Sequence, residues 1–314
     1  MIGLRCTLLL AGWVILLAGC SNEPETELPI AGASRGSDDD AKRLYNRAQA
    51  ADKSGRNKKA INLYSGTADK HPNSRVAATA RFRQAQLLQQ QGKLDEAFEA
   101  YQAVIDRYQA SPLYTQARDS QAKVAHAAAE GSVTGSLLWF KPQLDIKKVV
   151  SMLETVRDNA PRAPSAAKAQ HAIGKAYEAR KWKSDEAIAA YQKVVDEYPR
   201  SPYAPEAQFK IGKMLMTGSS KGNRDNSNLD RALHTFADLR QSYPNSQPAA
   251  EAAKMTTEIR SRDLQRTFDV AEFYFKKGQK SSARVYYLEV LGKTSKGDLH
   301  DRARNRLQSL QASE

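Results

Sequence analysis

The sequence predicts an all-α protein, an array of about six helix-turn-helix units, and three observations predict it. One spacing recurs: an alanine, an aromatic residue four positions on, and an aromatic-proline or similar pair eleven positions on. Four segments keep it, as Ala60, Tyr64, His71-Pro72; Ala97, Tyr101, Tyr108-Gln109; Ala187, Tyr191, Tyr198-Pro199; and Ala232, Phe236, Tyr243-Pro244. Upstream of each clear copy lies a second helical stretch, often ending near a glycine such as Gly55, Gly92 or Gly278. The composition agrees: 314 residues, 26% charged and 41% hydrophobic, with a mean hydropathy of −0.64. These values exclude a multi-span membrane protein, a small disulfide-stapled domain and a disordered tail, and they suit an elongated helical array, which needs less central core than a globule.

The first element precedes the array. Residues 1–20 read MIGLRCTLLLAGWVILLAGC, with one basic residue, Arg5, then an apolar run from Leu8 to Leu17, then small residues and a cysteine. The run is short for a bilayer span, so a cleaved export signal is expected over residues 1–19. The tetrad Leu17-Ala18-Gly19-Cys20 resembles the bacterial lipobox. That resemblance implies that Cys20 becomes an acylated (palmitate-type) N-terminus and anchors the chain in a membrane. Cys6 leaves with the leader, so the mature chain has no internal disulfide. By resemblance to lipoprotein sorting, Ser21 rather than Asp after Cys20 implies the outer membrane, on its periplasmic face. Residues 20–40, rich in Glu, Pro, Gly and Ser, read as a lipidated N-terminus and flexible tether.

The helix pairs fill 41–314. A degenerate unit fits Val149, Leu153 and Ala160-Pro161, and a sixth has Ala283 and Tyr287 without the proline. The units resemble the tetratricopeptide repeat, in which small residues let two antiparallel helices approach and proline stops the second. Successive anchors stand 37, 52, 38, 45 and 51 residues apart, and the excess over about 34 marks insertions. Two are expected, Ala129–Pro142 and the polar Thr217–Asn228, the latter as a solvated loop between the helices of its unit. Such arrays wind into a superhelix with a concave surface that binds peptides or proteins. The aromatics Tyr64, Tyr101, Tyr191, Phe236 and Tyr287 are expected to pack between helices rather than to contact a ligand.

The junctions narrow the family. His71-Pro-Asn-Ser74, Tyr108-Gln-Ala-Ser-Pro112, Tyr198-Pro-Arg-Ser-Pro-Tyr-Ala204 and Tyr243-Pro-Asn-Ser-Gln-Pro-Ala249 each end one helix and offer a serine N-cap for the next, with Pro202 in a first helical turn. This junction is similar to that of BamD-type outer-membrane assembly lipoproteins and also to that of Tol-associated periplasmic proteins. A helix beginning at Leu264 and running into Val-Ala-Glu-Phe-Tyr-Phe-Lys-Lys-Gly at 270–278 resembles the penultimate helix of the BamD type. The resemblance implies a scaffold whose N-terminal units, roughly 41–112, receive unfolded β-barrel substrates, and whose C-terminal units, roughly 203–314, dock the POTRA domains of the barrel-assembly protein. Where the family usually carries an Asn-Arg pair in the following helix, this chain has Val285-Tyr286. A Tol-associated or peptidoglycan-linked adaptor built on the same repeats is the alternative.

Chemistry finds little purchase. Gly292-Lys293-Thr294 lacks the earlier glycine and the strand of a phosphate-binding loop. The five histidines, His71, His126, His171, His234 and His300, stand tens of residues apart without metal-ligand spacing, which reads as no metal site and no cofactor. No nucleophile-base motif appears, so an enzyme is not expected. Asp95-Glu96 and Asp185-Glu186 sit where a helix N-terminus favours negative charge. The net charge is +13, and from Lys254 onward 13 basic residues face 8 acidic ones. They are scattered singly along helices, which argues against nucleic acid. Leu137-Leu138-Trp139-Phe140, and Trp182 in a turn, are the apolar features outside the repeat.

Overall fold

The computed structural model describes residues 35–134, 144–180, 184–219 and 227–311. Cys20, Leu137–Phe140 and Trp182 lie outside the described residues. Among the described residues there are thirteen helices and no strand. Six consecutive pairs form the array: α1 (Arg35–Lys53) with α2 (Asn57–Lys70), α3 (Ala77–Gln90) with α4 (Leu94–Arg107), α5 (Tyr114–Thr134) with α6 (Ile146–Asn159), α7 (Pro164–Glu178) with α8 (Ser184–Glu197), α9 (Ala204–Ser219) with α10 (Ser227–Ser242), and α11 (Gln247–Lys276) with α12 (Lys280–Lys293). A last helix, α13 (Asp298–Gln311), closes the end by packing His300, Ala303, Leu307 and Leu310 inward.

The anchor residues sit where the repeat places them. Each alanine of the spacing and the aromatic four positions on lie on the second helix of a pair and are buried, as are Val149 and Leu153 of the degenerate copy. First helices carry a small residue against the ring: a Cβ on Gly174 would stand 2.5 Å from the Tyr191 ring, and one on Gly212 would stand 2.4 Å from that of Phe236. Close approach of the two helices therefore depends on these glycines. Gly55, Gly92 and Gly278 each end a first helix at φ +72°. The following N–H reaches back to close it, from Arg56 to the Ala51 carbonyl, Lys93 to Leu88 and Gln279 to Tyr274, the Schellman arrangement.

Five boundaries differ from the sequence expectation. The tether was expected to reach Asp40, but α1 begins at Arg35. Asp38 thus lies in the first turn of a helix whose dipole favours it, and it also accepts the backbone N–H of Arg75. α5 runs on to Thr134, so the front of the Ala129–Pro142 insertion is helical, and α9 and α10 take both ends of Thr217–Asn228. Leu264 begins no helix; it lies inside the 30-residue α11, because no Gly or Pro interrupts residues 249–277. Of the junction serines only Ser246 caps as expected, accepting from Ala249 N–H at 3.2 Å. After Ser74, Ser111 and Ser201 a further turn intervenes, its closing N–H supplied by Ala77, Tyr114 and Ala204, so Pro202 lies in that turn and not in the helix.

Candidate functional site

A repeated polar tie joins one unit to the next. In the first pair Tyr64 donates its phenol to Asp52 Oδ2 at 3.3 Å, and Arg83 of α3 donates to the same carboxylate at 2.7 and 3.1 Å. In the fourth, Tyr191 donates to Glu178 at 2.7 Å and Lys210 of α9 at 3.0 Å. In the sixth, Tyr287 donates to Glu272 at 2.6 Å, with Arg306 of α13 at 2.8 and 3.1 Å. The Arg83 hydrogen bond holds the Asp52 carboxyl below the usual range. Burial, helped by the adjacent carboxylate, pushes the Tyr64 phenol up to about 12 and raises those of Tyr191 and Tyr287. The anchor tyrosines thus pack between helices as expected and also orient the charge that couples neighbouring units.

Two surfaces stand apart from this frame. The first is apolar and belongs to the last pair: Phe273, Val285 and Leu288 are 56%, 62% and 52% exposed. Tyr274 and Tyr286 stack with ring centroids 5.5 Å apart, and Phe273 packs edge-on against Tyr274 at 5.5 Å. The aromatics run continuously from α11 onto α12. Val285-Tyr286, the departure from the family's Asn-Arg pair, is part of this surface.

The second is a trough in the layer of first helices. α5 contributes Lys123, His126 and Glu130, α7 Ser165, Lys168, His171 and Lys175, and α9 Glu206, with Tyr203 just before it. A cavity of about 270 Å³ holds both imidazoles. Burial, and then Lys168, lower His126 to about 4. Burial is also the main cause that lowers His171, helped by Lys175 and Lys210 and opposed by Glu206 and Glu178. The ring of His171 stacks on Tyr203 with centroids 5.2 Å apart. Spacing along the chain gave no reason to join these two histidines; the superhelix does so by laying α5 against α7. The only sequence signal is that both lie on first helices of adjacent units.

Three other sequence candidates have partners of their own. Lys293 is held by Asp263 at 2.8 Å and Glu289 at 2.7 Å at the end of α12. His71 meets Ser37 at 3.2 Å, and His300 lies beside Asp301. Among the described residues no group of three or more His, Cys, Asp or Glu side chains could hold a metal ion, and no helix is long and apolar enough to cross a membrane.

Stacked helix pairs with aromatic anchors and glycine-ended first helices define a tetratricopeptide-repeat superhelix, a protein-interaction scaffold. A tetratricopeptide-repeat family model matches residues 45–112, and the model of the YfiO family, described as outer membrane lipoprotein, matches residues 142–293. The chain is a tetratricopeptide-repeat protein, and its segment 142–293 matches that outer membrane lipoprotein family. No curated protein matches it. Similar solved structures include a tetratricopeptide repeat protein from Parabacteroides merdae, 14% identical over 87% of this chain and 99% of that one, with a TM-score of 0.33. The C-terminal part of a TPR repeat-containing protein from Cytophaga hutchinsonii is 13% identical over 85% and 87%, TM-score 0.36. MamA from Desulfovibrio magneticus is 18% identical over 67% and 98%, TM-score 0.32.

Proposed function

We propose that this protein is a non-enzymatic scaffold subunit of the outer-membrane β-barrel assembly machinery, anchored by acylated Cys20 on the periplasmic face. In this reading residues 1–19 are a cleaved signal, the segment from Cys20 to the start of α1 is the tether, and the repeats form the working part. The inner face of the N-terminal units receives extended segments of unfolded barrel proteins. The C-terminal units dock the POTRA domains of the barrel-assembly protein.

The observation that carries the docking half is the apolar surface of the last pair. Positions equivalent to Phe273, Val285 and Leu288, counted from the tie residues, are Lys53, Asn62 and Ser65 in the first pair. The repeat therefore tolerates polar residues there, and packing does not demand the exposed apolar ones. Exposed apolar residues grouped in this way mark interaction sites.

The test is capture of the full-length lipoprotein from its own membranes in mild detergent, beside a Val285→Asn, Leu288→Ser variant. Near-stoichiometric recovery of a POTRA-bearing barrel protein with the unaltered chain, lost in the variant, is the expected result. Recovery of Tol or cell-wall components in its place would overturn the assembly reading in favour of the envelope adaptor.

A further inference from the structure

The two residues that precede an anchor alanine open the second helix of its pair. Before Ala97 and Ala187 they are Asp95-Glu96 and Asp185-Glu186, at the helix end whose dipole favours negative charge. Before Ala60 stand Lys58 and Lys59, and the first turn of α2 has no acidic residue. The third pair also has lysines there, Lys147-Lys148, but Asp145 precedes them and Lys148 is held by Glu99 at 2.7 Å. Lys58 and Lys59 are exposed and placed against the dipole of their own helix. The fold gains nothing from their charge.

The turn before them extends the patch. From Lys53 to Ala68 there are four basic residues, Lys53, Arg56, Lys58 and Lys59, and no acidic one; all four are exposed. The flanking acids are already engaged by α3, Asp52 by Arg83 at 2.7 Å and Asp69 by Arg81. Arg56 donates to Ser54 Oγ at 2.8 Å, and among the described residues no carboxylate meets Lys53, Lys58 or Lys59. Arg56, Lys58 and Lys59 border an open depression of about 770 Å³ that reaches Asn62 and Leu63. The patch is cationic, concave and unanswered within the chain.

Its distance from the proposed anchor is short. Arg35, where α1 begins, is 15 residues after Cys20, a reach of at most about 50 Å, and the 19 residues of α1 cover about 28 Å. A chain held at Cys20 can therefore bring the turn at Gly55 back to the surface that holds it.

We propose that the basic turn of the first pair, Lys53, Arg56, Lys58 and Lys59, docks on the anionic phospholipid headgroups of the membrane in which Cys20 is anchored, and so orients the array against that surface. Lysine ammoniums pair with phosphate as point charges, without the fixed geometry that a carboxylate-arginine fork demands. Each cation near an anionic surface adds an attraction that falls off within a Debye length. An acyl anchor and a polybasic patch together hold a protein more firmly than either does by itself. The contact goes beyond the scaffold reading and rests on it only for the anchor.

The full-length lipoprotein reconstituted in vesicles tests this. One set is phosphatidylcholine and the other contains phosphatidylglycerol at roughly one lipid in four; both carry a headgroup spin-labelled phospholipid that quenches a nearby fluorophore. With Cys6 gone with the leader and Cys20 acylated, Asn62→Cys supplies a single thiol for the fluorophore, inside the depression. Quenching rises at least about threefold from neutral to anionic vesicles and falls back at about 1 M salt, where the Debye length is about 3 Å. Lys58→Glu with Lys59→Glu removes the rise, whereas Lys254→Glu with Arg260→Glu, the same change of charge at exposed positions of α11, keeps most of it. The α2 pair restores an acidic helix start, so its thermal midpoint stays or climbs. Equal quenching on the two vesicles, or equal loss with the α11 pair, overturns the docking and leaves only the attraction of net charge. A lowered midpoint for the α2 pair also overturns it, by giving those lysines a part in the fold. Flotation keeps the readings apart: failure to float with neutral vesicles removes the anchor, and flotation with anionic ones that depends on Lys58 and Lys59 then still supports the patch.

Discussion

In the first helix pair Asp52 accepts hydrogen bonds from Tyr64 and Arg83, and in the last Glu272 accepts them from Tyr287 and Arg306. The tie is the same, and so is the glycine at φ +72° that ends the first helix, Gly55 or Gly278. The surfaces are not. Around the first tie stand Lys53, Asn62 and Ser65, with Arg56 in the turn and Lys58 and Lys59 at the start of α2 close by; around the last stand Phe273, Val285 and Leu288. The difference teaches that coupling between units lives in the buried face, while the outer face is free to carry a different partner preference in each unit.

The largest way to break the comparison is to remove an anchor ring. Tyr64→Ala and Tyr287→Ala each cost about 3–5 kcal/mol through an unfilled cavity, and each loosens its own end. Native-state hydrogen exchange should lose protection in α1–α3 for the first and in α11–α13 for the second, since repeats couple chiefly to their neighbours. Uniform loss across the chain would refute the local coupling.

Removing the cation of a tie is smaller. Arg83→Ala and Arg306→Ala should each cost about 1 kcal/mol, because both ion pairs are partly exposed, and urea midpoints compare them directly. The carboxyl of Asp52 is held low by Arg83, and that of Glu272 by the hydrogen bonds of Tyr287 and Arg306 against the effect of burial. Their contribution is therefore full above the ordinary carboxylate range and is lost as pH falls through the lowered native values. Both ends should weaken together below about pH 4.

The middle differs from both ends. His126 is lowered to about 4 by burial and then by Lys168, so its unfolded form binds more protons below the ordinary imidazole value of about 6.5. Stability contributed by the neutral ring is present above that value and declines as pH falls toward 4. Exchange protection in α5–α7 should therefore drop across this window while the terminal ties hold, and His126→Phe should reduce the difference, the part that persists belonging to His171, which burial also lowers. The smallest effect is on the surface: Lys53→Phe with Asn62→Val, or the reverse exchange in the last pair, shifts stability by no more than about 0.5 kcal/mol. A larger shift in thermal unfolding would mean that the outer face is part of the packing after all.

Much of the frame was legible because the repeat writes its contacts into spacing. Ala97 and Tyr101, or Ala232 and Phe236, are one helical turn apart and face the same partner helix. Glycines that end helices announce themselves by composition alone, as Gly55 does. Helix starts were harder to read: Ser74 and Ser201 look like caps but precede a further turn, and Leu264 sits in a helix that nothing interrupts. The ties carried a signal that repeat arithmetic could have found, since Asp52 and Arg83, Glu178 and Lys210, and Glu272 and Arg306 each stand about one repeat apart.

The order of units, the anchors that fill their interiors and the glycines that separate their helices were determined by the sequence alone, because those contacts are local and repeat with the helical period. Only the tertiary structure decided that His126 and His171 share a cavity and that Val285 and Leu288 stand in solvent beside stacked tyrosines. Both depend on the lateral registry of helices from different parts of the chain, which is fixed by packing between units and leaves no periodic trace in the residues themselves.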